Sequence, residues 1–237
     1  MTQPRALLTA LFTLTFVLSP LVTAPFSGFR EDQLPIPQID PPVQPAGYAF
    51  AIWGLIYGWL VVSAGVGLWA RAEDPAWDRM RAPLLASLAL GTPWLWVANI
   101  SPVWATGLIF AMAGTALLAV RRSPPHDRWL AHAPVAVYAG WLTAAAFVSL
   151  GSTAAGYGVL SGALGWAWLG LAGATLTALA MLLALRRRLE YALTLAWALT
   201  GIIVANGSDP LSVSLGAALA IALLAGVGAL APRASSG

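Results

Sequence analysis

The chemistry available to this chain is concentrated in its aromatic side chains. Residues 45–60 read PAGYAFAIWGLIYGWL, a Pro-Ala-Gly entry followed by Tyr48, Phe50, Trp53 and Tyr57, with Gly54 and Gly58 four apart. On a helix, Phe50, Trp53 and Tyr57 share one face and the two glycines line a neighbouring one. Such a segment admits another helix closely on the glycine side and presents flat aromatic surface on the other. Groups for acid–base, nucleophilic or metal chemistry have no comparable arrangement. Cysteine is absent, which excludes disulfides and thiolate sites. His126 lies in a connection and His132 at the start of an apolar segment. No HExxH, GxSxG elbow or phosphate loop occurs. No acid, histidine or arginine lies in the middle of an apolar segment, where pumps, channels and intramembrane metalloenzymes carry one. We therefore expect no catalytic residue, no metal site and no cofactor.

The elements that position these aromatics are dictated by composition. The chain is 59% hydrophobic and 9% charged, against roughly 45–50% and 25% for soluble domains. So few charges cannot cover a soluble globule of this length, and the sequence predicts an all-α integral membrane protein. The net charge of +3 comes from arginine without any lysine. It carries no signature of nucleic-acid binding.

Eight segments are apolar and long enough to cross a hydrocarbon core: 6–24, 46–70, 82–98, 102–120, 130–150, 159–185, 191–206 and 211–231. Their connections alternate sharply in charge. Arg5, Arg71, Arg79, Arg81, Arg121, Arg122, Arg128, Arg186, Arg187, Arg188 and Arg233 fall on one side, and Arg30 alone on the other. The positive-inside rule makes the first side cytoplasmic, with both termini there. One span more or fewer would scramble this parity. Two alternatives remain at the weakest segments: 191–206 is short enough for a seven-span chain, and 6–24 has some features of a signal peptide.

The connection 25–44 is the exception to otherwise tight external turns, with prolines at 35, 37, 41 and 42 that favour extended backbone. It is either an ordered lid or a tether between the first two spans. Tryptophan, present twelve times, divides by position. Trp69, Trp77 and Trp129 flank the arginine-rich surface, where indoles prefer to lie, and Trp104 does the same outside. Trp53, Trp94, Trp96, Trp141, Trp166 and Trp168 lie within spans and gather mainly in the outer half. They form either an ordinary aromatic belt or the walls of a cavity for a flat apolar ligand.

Three segments in order resemble the tryptophan-rich sensory protein family, which includes the mitochondrial translocator proteins (TspO/MBR, benzodiazepine receptors). The proline-led entry with Trp53, Gly54 and Tyr57 is similar to its second-helix signature. Residues 134–149, PVAVYAGWLTAAAFVS, resemble its fifth helix around Trp141 and Ala145, and Leu90-Gly-Thr-Pro-Trp94 is a third match. Ser149 and Gly91 stand where the family carries asparagines. The resemblance covers roughly residues 1–150, a five-helix TspO-like core with 25–44 as its capping loop. The segment 151–231 then adds three C-terminal helices, as in a longer bacterial branch, before a cytoplasmic tail at 232–237. The resemblance implies a non-enzymatic receptor in the bacterial inner membrane that binds porphyrin-, haem- or sterol-like ligands, with regulation of their transport as a further expectation. The ligand-binding residues it implies are Trp53, Tyr57, Trp94, Trp141, Ala145 and Ser149. Tyr57 is the expected hydrogen-bonding group. The partners expected are the lipid bilayer, an apolar tetrapyrrole- or sterol-like molecule, and a second copy through small-xxx-small pairs such as Gly54/Gly58; nucleic acid is not expected. The competing reading is a facilitator of a small neutral solute, for which the scattered Ser63, Thr143, Thr175 and Thr177 are the available lining.

Overall fold

A backbone crossing hydrocarbon must satisfy its own N–H and C=O groups, and the computed structural model does so with helices in every apolar segment. It describes residues 2–185 and 189–230. Their helices are α1 (Thr2–Leu18), α2 (Ile52–Trp69), α3 (Pro75–Gly91), α4 (Trp94–Ile100), α5 (Pro102–Arg121), α6 (Ala133–Gly156), α7 (Ala163–Ala184), α8 (Glu190–Asn206) and α9 (Leu211–Leu230). Seven helical segments are long and apolar enough to span a membrane, α3 with α4 forming one of them, and α8 is a shorter apolar helix. At 17 residues α8 rises about 25 Å, slightly less than a typical hydrocarbon core. Arg186, Arg187, Arg188, Arg233 and the 232–237 tail lie outside the described residues.

Three boundaries differ from expectation. α3 starts at Pro75 rather than near 82, because Asp74 Oδ1 accepts the backbone N–H groups of Ala76 (2.7 Å) and Trp77 (3.4 Å). Proline at the first helical position completes this start signal, and Arg79 and Arg81 therefore ride on the helix rather than in the connection. α3 and α4 are separated at Thr92–Pro93, where proline removes a backbone donor. α2 starts at Ile52, after a 3₁₀ turn over Gly47–Ala51. Tyr48 and Phe50 thus precede the α-helix and do not share a helical face with Trp53 and Tyr57.

The chain divides into two compact units. The first holds α1 to α5 and the part of α6 up to Leu142. There α1 packs on α2 and α3, and α5 packs on α3 and α4. Its arginine-rich end is tied by polar contacts. Arg81, 2% exposed, donates to the carbonyls of Gly67 (2.6 Å), Arg71 (2.7 Å) and Ala72 (3.1 Å), so a cation closes the C-terminal end of α2. Trp77 was expected as an interfacial anchor but is 2% exposed. Its ring fits against Gly67, where a Cβ would come within 3.0 Å, and its Nε1 donates to Asp127 Oδ2 at 2.8 Å. Asp127 Oδ2 also accepts from Arg71 Nε at 2.8 Å, and His126 Nε2 lies 3.0 Å from Asp74 Oδ2. Arg5 joins Asp78 at 2.6 Å.

The second unit holds the 27–50 segment, the rest of α6 from Thr143, and α7 to α9. The proline-rich segment is fastened along its length within this unit. Ile36 N–H donates to Gly156 O (2.8 Å), Ala46 N–H to Gly201 O (2.9 Å), and Asn206 Nδ2 to Pro42 O (2.9 Å). Its side chains fill notches left by glycines. A Cβ on Gly156 would meet Leu34 at 2.8 Å, one on Gly170 would meet Val43 at 3.0 Å, and one on Gly201 would meet Pro45 at 2.8 Å. Tyr48 stands edge-on to Trp197 at 5.5 Å, and Trp197 Nε1 donates to Ala49 O at 2.9 Å. The segment is a strap held by backbone bonds and keyed side chains, not a slack tether.

Two outcomes are expected. The Arg71 hydrogen bond holds the Asp127 carboxyl below the usual carboxylate range, with Trp77 aiding and burial opposing. A depressed folded-state pKa gives stability that is complete above the unfolded value, about 4, and is lost as pH falls through the folded value. Thermal unfolding in detergent should therefore weaken below about pH 4 in the wild type, and less steeply in Asp127→Asn; identical slopes would remove this assignment. Separately, Gly201→Val should displace Pro45 and Ala49, and trypsin should then cut after Arg30 several-fold faster.

Candidate functional site

Five aromatic residues of the first unit form a cluster built from three helices. Trp53 and Tyr57, one turn apart on α2, stack with ring centroids 5.1 Å apart and planes 27° apart. Phe16 of α1 is the hub. It meets Trp53 at 5.9 Å, Tyr57 at 5.5 Å and Tyr138 at 5.6 Å, each in an edge-to-face arrangement. Trp141, one turn beyond Tyr138 on α6, stands edge-on to Trp53 at 6.2 Å. These geometries are the ones ring quadrupoles favour, and each contributes roughly 0.5–1.5 kcal/mol beyond burial. Phe16, Tyr138 and Trp141 are buried, whereas Trp53 and Tyr57 keep part of their surface open.

The polar ends of the two tyrosines differ. Tyr138 is anchored, its hydroxyl 2.9 Å from Ser87 Oγ, which in turn donates to the Met112 carbonyl at 2.8 Å. The Tyr57 hydroxyl has no such anchor among the described residues. Trp53 Nε1, the other polar atom of the partly open stack, likewise has no anchor among the described residues.

The expected site residues are only partly gathered here. Trp53, Tyr57 and Trp141 belong to the cluster. Trp94 lies elsewhere in the same unit, edge-on to Phe26 at 5.2 Å, with Nε1 donating to Ala105 O at 3.0 Å. Ala145 and Ser149 lie on the part of α6 that belongs to the second unit, Ser149 buried and Ala145 partly exposed. Sequence reasoning missed Phe16 and Tyr138. The i, i+3 spacing of Tyr138 and Trp141 was an available signal, but Phe16 had none within its own helix. Its place is explained by Gly91. A Cβ at Gly91 would lie 2.8 Å from Phe16 Cε2 and 2.9 Å from Met112 Cε. The space that a side chain at 91 would need is taken by the Phe16 ring.

The glycines first singled out behave differently. Around Gly54 and Gly58 no atom lies within 4 Å of an added Cβ, and both residues are exposed. Within this chain they seat no neighbouring helix and leave that face of α2 open. A second polar cluster, Asp74, His126 and Asp127, brings three ligand atoms within 4.8 Å of one another. The Asp127 oxygen nearest His126 already accepts from Arg71 and Trp77, and the guanidinium supplies the positive charge that a cation would bring.

Substituting Gly91 tests the cluster. Gly91→Ala should cost about 1–3 kcal/mol by overpacking, read as a lower unfolding temperature in detergent. In Phe16→Leu the same change should cost less, because the ring that it strikes is gone. Equal costs in both backgrounds would show that Phe16 does not hold that space.

A profile of the TSPO-like protein family matches residues 6–230, running past residue 150 across the three further spans. No curated protein and no solved structure matches the chain. A match over nearly the whole length, with the helical membrane-spanning architecture and the ordered aromatic motifs, establishes that the chain belongs to the TSPO-like protein family.

Proposed function

We propose that the protein is a multi-pass membrane receptor for flat apolar ligands, porphyrin-, haem- or sterol-like, that stack on the Trp53–Tyr57 pair and take a hydrogen bond from the Tyr57 hydroxyl. The observation that carries this reading is the pair itself. Two rings lie nearly parallel, are backed by the buried Phe16 and Trp141, and remain partly open. A rigid backing lowers the ordering cost of binding. The described residues of this cluster are aromatic rings with two phenol hydroxyls and the indole N–H groups, a set suited to stacking and hydrogen bonding. In this reading Trp94, Ala145 and Ser149 are secondary, since none belongs to the ring cluster. Arginine parity supports both termini in the cytoplasm, and the resemblance to the longer bacterial branch of the family supports a bacterial inner membrane.

The facilitator of a neutral solute is less well supported, because three of its four candidate lining hydroxyls, all but Ser63, are engaged internally. Thr175 and Thr177 donate to the carbonyls of Leu171 and Gly173, and Thr143 accepts from Tyr191 at 2.8 Å. Hydroxyls consumed in this way are poor lining for a polar path.

Titration of the detergent-purified protein with protoporphyrin, followed by tryptophan quenching, tests the receptor reading. Saturable binding is expected in the wild type. Tyr57→Phe should weaken it about fivefold, the worth of one hydrogen bond, and Trp53→Ala more strongly. Binding unchanged in both variants would sink the site, and absence of saturable binding to any tetrapyrrole or sterol would sink the receptor class.

A further inference from the structure

The arginine-rich end of the first unit carries a second surface that the ligand reading does not use. α5 ends at Arg121 and Arg122 follows it, both exposed. Six positions after Arg122, a π-helical turn (Arg128–His132) leads into α6. Within that turn the exposed Arg128 places its guanidinium 4.9 Å from the centroid of the Trp129 ring. Trp129 stacks in turn on Trp59 of α2, with centroids 6.4 Å apart and planes 10° apart, and Trp59 Nε1 donates to Trp129 O at 2.8 Å. The three groups form a ladder whose charged rung is pre-positioned by cation–π stacking. Ser123 Oγ lies 2.7 Å from His132 Nδ1. That contact draws the residue after Arg122 to the turn that carries Arg128, so the connection is folded back on itself.

Three acids at this end of the unit have partners of their own. Asp127 is engaged by Arg71, Asp74 by the α3 start and His126, and Asp78 by Arg5. Arg121 and Arg122 make no side-chain ion pair among the described residues. Trp129 is 60% exposed at the end of a membrane-spanning segment, which places it at the depth where indoles meet lipid headgroups. Guanidinium groups match phosphate oxygens through a planar fork of donors, and basic surfaces beside membrane helices attract anionic lipids.

We propose that Arg121, Arg122, Arg128 and Trp129 form a binding site for an anionic phospholipid of the arginine-side leaflet. The guanidinium groups hold the phosphate, and the Trp59–Trp129 stack sets its depth.

Native mass spectrometry of the full-length protein in detergent, with equimolar phosphatidylglycerol and phosphatidylcholine, tests this. The wild type should retain phosphatidylglycerol over phosphatidylcholine by about tenfold or more, in line with charge-assisted hydrogen bonds. Arg121→Gln/Arg122→Gln/Arg128→Gln should abolish that preference, while Arg186→Gln/Arg187→Gln/Arg188→Gln should leave it intact. Arg121→Gln/Arg122→Gln, which spares the aromatic ladder, should show an intermediate loss and serves if the triple variant does not fold. Inorganic phosphate should not displace the bound lipid, because it lacks chains to lie beside Trp129; displacement would identify a free-anion site instead. Equal retention of both lipids by the wild type, or loss of the preference only in the 186–188 variant, would overturn the proposal.

Discussion

Helices already in lipid gain little by hiding apolar surface from one another, because the surrounding chains are equally apolar. What holds them is close fit together with a few hydrogen bonds. In this protein the close fit has a recurrent form, a bulky side chain seated where a glycine leaves room. Trp77 sits against Gly67, Phe16 against Gly91, Leu34 against Gly156, Pro45 against Gly201 and Trp168 against Gly216. Each seat fixes the separation of two segments, and a single methyl group in it would force one of them to move. The aromatic cluster and the proline-rich strap both depend on such seats, since Gly91 admits the cluster's hub and Gly156 and Gly201 admit the strap.

Hydrogen bonds then take over where the fit alone leaves polar atoms buried. Arg81 spends its guanidinium on three carbonyls, closing the end of α2 rather than facing an acid. Asp127 collects a guanidinium and an indole N–H on one carboxylate oxygen. Ser87 links the Tyr138 hydroxyl to a backbone carbonyl. All three arrangements join separate helices or connections, and each satisfies polar groups that burial would otherwise penalise.

Much of the architecture was legible in the sequence. Hydropathy and arginine position located every apolar helix, because length and charge are local properties of each segment. The pairing of Trp53 with Tyr57 followed from helical spacing. Long-range fit was not legible in the same way. Nothing near Phe16 indicates that it will fill the space beside Gly91. Nothing near Trp77 distinguishes it from Trp69 or Trp129, since its burial depends on an aspartate fifty positions away. The exposed pair Gly54 and Gly58 shows the converse, as a familiar spacing on a helix gives no information about which glycines have a neighbour. The second span begins where its hydropathy indicates, but its first turn is 3₁₀ rather than α for a similar reason. Its residues are apolar enough to extend α2, but Pro45, Ala46 and Ala49 find partners on α8.

The strap also imposes an order on biogenesis. It is synthesised between the first and second membrane helices, yet Asn206, which bonds Pro42, lies 164 positions downstream. At about 5–20 residues per second, the ribosome needs on the order of ten to thirty seconds to deliver that partner. Throughout that interval the strap has emerged but its glycine seats at 156, 170 and 201 are still being made and inserted. α8, among the last helices to be made, therefore completes an early loop, and a chain stopped short of it would keep the seats at 156 and 170 but leave Pro42, Pro45 and Ala46 without their partners.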